Sequence, residues 1–403
     1  MVEAVARHGF AGTTLRELVG LAGVSKSTFY QHFPSKKECF LSTFDEIVAE
    51  VSRQVGEAYR QPGDFRQKLT AGLSTFMALA ANEQPAASLV AVESLTLGAD
   101  GVEHRERASR DFELLIQQSF DHSGMPREVS PLTVRAIVAG IRGVTYRELR
   151  TGEAEKLPGL VEPLTEWALS YGRPDSEVTR KAIGAAERPP RPPADEEAGD
   201  DAPGWEEPPD SRLSRRRLSQ RERIVRAAAR VVVERGYETL SIPAISAAAG
   251  TSNQTFYENF SSKREAFLAA FGALGGEALG EAAGAFDAEP DWAEGIGAGL
   301  RALLEHIATN ELFARLAFFE LPTAGPAALD QADATLDSFT YYLSPKMAPA
   351  QAGQPLSPMV LAAIASGIWA AIQHEIAHGR RVALPRLAPE LARLAVAPFR
   401  PAS

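Results

Sequence analysis

Two seven-residue stretches carry the side chains best suited to touching another molecule: residues 26–32 read KSTFYQH and residues 253–259 read NQTFYEN. A lysine amine donates well to guanine O6 and N7, and Asn or Gln pairs with adenine N6 and N7. Lys26, Ser27 and His32 offer the first chemistry; Asn253, Gln254 and Asn259 offer the second. Thr28, Tyr30, Thr255 and Tyr257 bring hydroxyls able to bond phosphates. Lys36 and Lys263 stand at the start of the next helix in each stretch, where a phosphate would also meet free backbone donors. Ahead of the second stretch, Arg215, Arg216 and Arg217 belong to a basic arm suited to phosphate or minor-groove contact.

One constellation looks catalytic. His374, Glu375 and His378 spell H-E-x-x-H, which on a helix sets two metal-binding histidines on one face beside a glutamate base. The equivalent positions earlier in the chain are Arg147-Glu148-Leu149-Arg150-Thr151, which share only the glutamate, and a third ligand is not evident apart from the remote Glu390. A zinc hydrolase is therefore kept as an alternative, and no catalytic residue, metal site or cofactor is assigned. A protein-interaction module without DNA binding is the other class to keep. Salt-dependent binding to duplex DNA would separate it from a regulator.

The elements around the first stretch form a helix-turn-helix. Thr14 can cap a first short helix, with Glu17 completing a capping box, and Leu15, Leu18 and Val19 form its apolar face. Gly23 sits where the chain must leave that helix in the left-handed region. Ser25 caps a second helix, expected from Lys26 to Phe33, whose N-terminal half would point at base edges. Phe29 and Phe33 are its core side, as are Phe256 and Phe260 in the second stretch. Ser35 and Glu38 make another capping box and open a third helix. The pattern recurs: with an offset of 227, thirteen of the thirty-three positions from 9 to 41 are identical.

The string G-F-x-x-T-T-x-x-x-L-x-x-x-A-G-V-S-x-S-T-F-Y-x-H-F-x-S-K closely resembles the DNA-binding head of the TetR family of bacterial transcriptional regulators. The resemblance implies that Thr28, Tyr30, His32 and Lys36, with Thr255, Tyr257, Asn259 and Lys263, contact DNA. It also implies a helical body that binds a small molecule between its middle helices and pairs through its last two helices. The offset holds in the bodies: Glu93 matches Glu320, Gly98 matches Gly325 and Gly140 matches Gly367. The whole unit, head and body, is therefore duplicated.

The expected fold is all-α: two tandem TetR-like units, each a three-helix head with a helical ligand-binding and dimerisation body. The heads are placed at residues 1–44 and 212–267 and the bodies at 45–185 and 268–403. An acidic, Pro-rich linker at 186–211 joins them, with seven prolines and nine acids against two arginines. Such a segment cannot bury a core and spans roughly 25–30 Å as a coil. Net charge is −10, yet the stretch 211–268 holds eleven basic and five acidic residues, so distribution outweighs the sum. The first copy begins at Met1, opposite Ala228, about two helical turns into the second copy's first helix. A natural start upstream of Met1 is the favoured expectation, and a frayed first helix the other.

Residues 132–151 and 157–171 are expected to pack on 357–378 and 384–398. The tether raises their effective concentration to roughly millimolar, favouring an intramolecular pseudo-dimer over a homodimer, which remains possible. The partners are then a double-stranded operator with two unlike half-sites and an unidentified, apolar small-molecule effector. Phe76, Phe112, Trp292, Phe319, Phe339 and Trp369 are either pocket lining or core, and which body holds the effector is open. Repression by occlusion is the default expectation. A single cysteine, Cys39, and the absence of a visible signal peptide or spanning segment point to a soluble cytoplasmic protein.

Overall fold

A computed structural model describes residues 1–189, 220–344, 347–348 and 355–399. Among these residues every regular element is helical. The first head comprises α1 (Val2–Gly12), α2 (Leu15–Ala22) and α3 (Lys26–His32). Its body comprises α4 (Lys36–Tyr59), α5 (Phe65–Asn82), α6 (Gln84–Ala91), α7 (Ala99–His122), α8 (Pro131–Thr151), α9 (Val161–Ser170) and α10 (Glu177–Glu187). The second head comprises α11 (Gln220–Arg235), α12 (Ile242–Ala249) and α13 (Asn253–Asn259). Its body comprises α14 (Lys263–Asp287), α15 (Trp292–Thr309), α16 (Glu311–Arg315), α17 (Pro326–Leu343), α18 (Pro358–Ala377) and α19 (Ala388–Val396).

Local sequence explains where these helices stop and start. Gly23 and Gly250 end α2 and α12 at φ 66° and 63°, a region open to glycine without a Cβ clash. Ser25 and Ser252 cap α3 and α13 by accepting from the amides of Thr28 and Thr255, each at 3.0 Å. Thr14 and Ser35 cap their helices in the same way. The carboxylate of Glu17, expected to complete a capping box with Thr14, instead pairs with His8 at 3.1 Å. α6 is followed after one residue by a 3-10 turn, Glu93–Leu97.

The two bodies meet along α8 and α18. Both helices are thinned at the crossing. A Cβ on Gly140 would sit 2.5 Å from the carbonyl oxygen of Ala363, and one on Gly367 would sit 2.6 Å from that of Ala136. These contacts are related by the 227-residue offset, so the crossing has a two-fold character. Ile137, Val144, Ile364 and Ile368 are buried around it, each worth about 1.5–3 kcal/mol against exposure. Buried Tyr171 donates to the carbonyl of Leu394 at 2.9 Å while accepting from Trp167 Nε1 at 2.8 Å. Arg393 forks onto Asp175 with two bonds of 3.1 Å. α18 is long and apolar enough to cross a membrane by length and composition, but 61% of that apolar window is buried inside the protein.

One element lay outside the expected plan. α10 follows the first body's last expected helix and packs on α15 and α19 of the second copy. Its Ala182, Ala185 and Ala186 are buried. A Cβ on Gly297 would approach the Ala182 carbonyl oxygen to 2.1 Å, so the missing side chain at Gly297 of α15 admits the strap. Lys181 adds an ion pair to Asp291 at 2.7 Å. The helix ends at Glu187, two residues into the segment assigned to the linker. The rest of that linker falls almost wholly outside the described residues.

Candidate nucleic-acid interface and effector cavity

In each head the reading helix rests on one buried phenylalanine. Phe29 and Phe256 are buried under α3 and α13, and their neighbours Tyr30 and Tyr257 stand 56% and 60% exposed. Lys26, Ser27 and His32 face solvent on α3, as do Asn253 and Gln254 on α13. Phe260 is buried as expected, whereas Phe33 is half-buried. Arg221 explains the second head's tighter seal: its guanidinium lies over the Phe260 ring at 4.2 Å and donates to the Asn259 carbonyl at 2.8 Å. Arg223 holds the carbonyl of Ala249 at 2.6 Å.

Several expected contact residues have work inside the heads. Lys36 Nζ donates to the carbonyls of Phe10 and Thr13 at 2.7 and 2.9 Å, and its desolvation lowers its pKa. Lys263 Nζ donates to the carbonyl of Leu240 at 2.7 Å. Thr28 and Thr255 share hydroxyl bonds with their capping serines, at 2.9 and 3.1 Å. The Asn259 amide turns back onto the Thr255 carbonyl at 2.8 Å. The most open side chains are therefore Lys26, Ser27, Tyr30 and His32 in one head and Asn253, Gln254 and Tyr257 in the other. Arg215, Arg216 and Arg217 lie outside the described residues.

The head is fastened to its body by a contact that occurs in both copies. Gly9 and Gly236, at φ 66° and 80°, turn the end of the first helix back. The next amide then reaches a body carboxylate: Phe10 N–H meets Glu93 at 2.8 Å, and Tyr237 N–H meets Glu320 at 3.0 Å. The recurrence of Glu93 at Glu320 was visible in the sequence, but its partner was not.

The first body holds a cavity of about 580 Å³ between α4, α5, α6, α7 and α8. Its walls are mostly apolar, and they include Phe76 and Phe112 from the aromatic set singled out in the sequence. Two arginines also line it. Arg142 donates to Ser109 Oγ at 2.6 Å. Arg105 Nε and Nη1 are shut off from solvent without a hydrogen-bond partner. Burial and the neighbouring Arg142 lower the Arg105 pKa to about 9. The matching place in the second body is a void of about 60 Å³ lined by Phe339 and Trp369, among others. Trp292 is instead a core group, bonded to the Tyr342 carbonyl at 2.8 Å and packed edge-to-face with Phe399. Phe319 is half-buried at the edge of the core.

The H-E-x-x-H residues are also placed. Glu375 is forked onto Arg380 with bonds of 2.9 and 2.8 Å, which holds its carboxyl below the usual range. A carboxylate so bound is a poor general base. His374 Nδ1 lies 2.9 Å from Glu106 of the first body. Glu106, His374 and His378 bring ligand atoms within 4.8 Å of one another. Glu390 is elsewhere, bonded to Ser130 and Thr133.

The family model described as "Bacterial regulatory proteins, tetR family" matches twice, at residues 2–43 and 224–270. The chain is 36% identical over 69 residues to "HTH-type transcriptional activator FasR" of Mycolicibacterium smegmatis, covering 17% of this chain and 32% of that protein. It is 24% identical over 106 residues to "Fatty acid metabolism regulator protein" of Bacillus subtilis, covering 26% and 53%. It thus spans between about a third and a half of the curated relatives it matches. A solved structure of the fatty acid degradation regulator FadR from Bacillus halodurans aligns with 45% of this chain and 96% of its own, at 16% identity and a TM-score of 0.38.

Proposed function

Because this chain carries two DNA-binding heads of the tetR family, we propose that it is a ligand-responsive transcriptional regulator working as a single-chain pseudo-dimer. The observation that carries this reading is the pairing of α8 with α18, which joins two heads whose reading helices are both exposed and chemically different. Lys26 favours guanine in one half-site, and Asn253 and Gln254 favour adenine in the other. The operator therefore has two unlike half-sites rather than a true palindrome.

The effector enters the body rather than the heads, and it acts by population shift: binding favours a head spacing that no longer matches the operator. The apolar cavity of the first body supports an apolar effector. The printed name of the Bacillus subtilis relative supports one related to fatty acids. Glu375 bound to Arg380 favours this reading over a zinc hydrolase.

Selection of bound sites from random duplex DNA tests the proposal. Two different half-sites at fixed spacing are expected. Failure to enrich any sequence at low ionic strength would remove the reading.

A further inference from the structure

We propose that only the first body is a sensor: it takes one effector per chain, an apolar chain with an anionic head, anchored by Arg105 and Arg142, while the second body is sealed by its own side chains. This deepens the ligand-responsive reading and rests on it.

The seal is visible position by position. With the 227-residue offset, Ala86, Ala91 and Arg142 of the first body become Phe313, Phe318 and Trp369 of the second. Phe318 and Trp369 stack with ring centroids 4.1 Å apart and planes 25° from parallel. Phe313 and Phe318 are 5% and 2% exposed. The helix from the head accommodates them: Val48 of α4 becomes Gly275 of α14, where a Cβ would meet the Phe313 ring at 3.9 Å. Large groups therefore occupy in the second body the space that is open in the first, and the volume falls from about 580 to about 60 Å³. A close-packed interior of this kind has no room for a ligand the size of its neighbour's cavity.

The head group follows from the polar residues. A guanidinium buried with unpartnered donors is unfavourable, and a carboxylate or phosphate relieves it by accepting paired N–H bonds. Arg105 has two such donors closed off from solvent, and Arg142 lines the same cavity. The second body has Ala332 and Trp369 at these positions, so it has lost the anchors together with the space. The remaining walls of the first cavity suit an extended hydrocarbon.

The arrangement makes the effector act on one head. The cavity is walled by Phe44, Ile47 and Val48 of α4, the helix that begins beside Lys36 in the first head. It is also walled by α6, which leads directly to Glu93 and its bond to Phe10. A ligand pressing on these two helices moves the first head while the filled second body keeps its head fixed.

The test is native mass spectrometry of the delipidated full chain with hexadecanoate, hexadecanoyl-CoA or hexadecanol, without DNA. One hexadecanoate or one hexadecanoyl-CoA per chain is expected, and the two arms separate a carboxylate from a phosphate as the anion. Arg105→Gln should weaken the bound species about tenfold or more. Ala91→Phe should abolish binding; Ala86→Phe provides the same test if the first variant melts early. Two ligands per chain, hexadecanol binding as tightly as hexadecanoate, or undiminished binding by a folded Ala91→Phe or Ala86→Phe variant would overturn the proposal. No binding of any of the three probes by a chain that still binds its operator would also overturn it. Binding of one ligand with no effect on operator affinity would leave this assignment standing and remove the ligand-responsive reading.

Discussion

The carboxylate of Glu93 accepts the backbone N–H of Phe10 at 2.8 Å, tying the end of α6, which walls the first body's cavity, to the first head. The contact depends on Gly9, whose positive φ aims the amide inward. Lys36 completes the clamp by holding the Phe10 and Thr13 carbonyls. Glu93→Ala should destabilise the first head by about 1–3 kcal/mol, the cost of an unmade buried bond. In gel-shift titrations the variant should still bind hexadecanoate, but the ligand should no longer change operator affinity. Full retention of the ligand effect would show that the linkage runs elsewhere.

The unlike reading helices predict unlike losses. Lys26→Ala should cost about 1–3 kcal/mol at its own half-site and leave base preference at the other unchanged. Asn253→Ala should do the converse. Anisotropy titrations on operators with one half-site scrambled measure both, and equal losses at both half-sites would contradict the assignment.

The crossing of α8 and α18 leaves no room for an added atom at Gly140 or Gly367. Gly140→Ala and Gly367→Ala should each lower stability by about 1–3 kcal/mol, because a Cβ is driven onto backbone rather than onto a mobile side chain. The double variant should cost less than the sum, since either substitution already separates the same helices. Thermal melts of the three variants check this.

Glu277 on α14 adds a pH dependence. Burial raises its carboxyl to about 7, with Arg226 opposing and Glu281 adding to the shift. A carboxyl raised in the folded state contributes stability below its ordinary value of 4.5, and that contribution is lost as pH rises through 7. The group is only partly buried and is screened by solvent, so the effect should be about 1 kcal/mol or less. Glu277→Gln should narrow the difference between melting temperatures at pH 6 and pH 8. An unchanged difference would assign the dependence to other groups.

The heads were legible because their signals are local. Ser25, Gly23 and Phe29 act within a few residues, and Ser252, Gly250 and Phe256 repeat them. α10 was not legible, because Ala182, Ala185 and Ala186 gain their meaning only from the face of α15 around Gly297, more than a hundred residues away in sequence. The inward turn of Lys36 and Lys263 was hidden for the same reason: it answers carbonyls left open where the first helix ends. The aromatic residues suggested both pocket and core, and each suggestion holds in one copy. Comparing Ala86 with Phe313, Ala91 with Phe318 and Arg142 with Trp369 would have marked the sealed body from sequence, had their packing partners been known.

The central claim is that one polypeptide supplies both halves of a DNA-gripping pair. Native mass spectrometry of the complex on a duplex carrying both selected half-sites tests it most directly. A single 43.3 kDa chain per duplex is expected, with affinity falling when either half-site is replaced by a second copy of the other. Two chains per duplex, or affinity indifferent to that replacement, would contradict it.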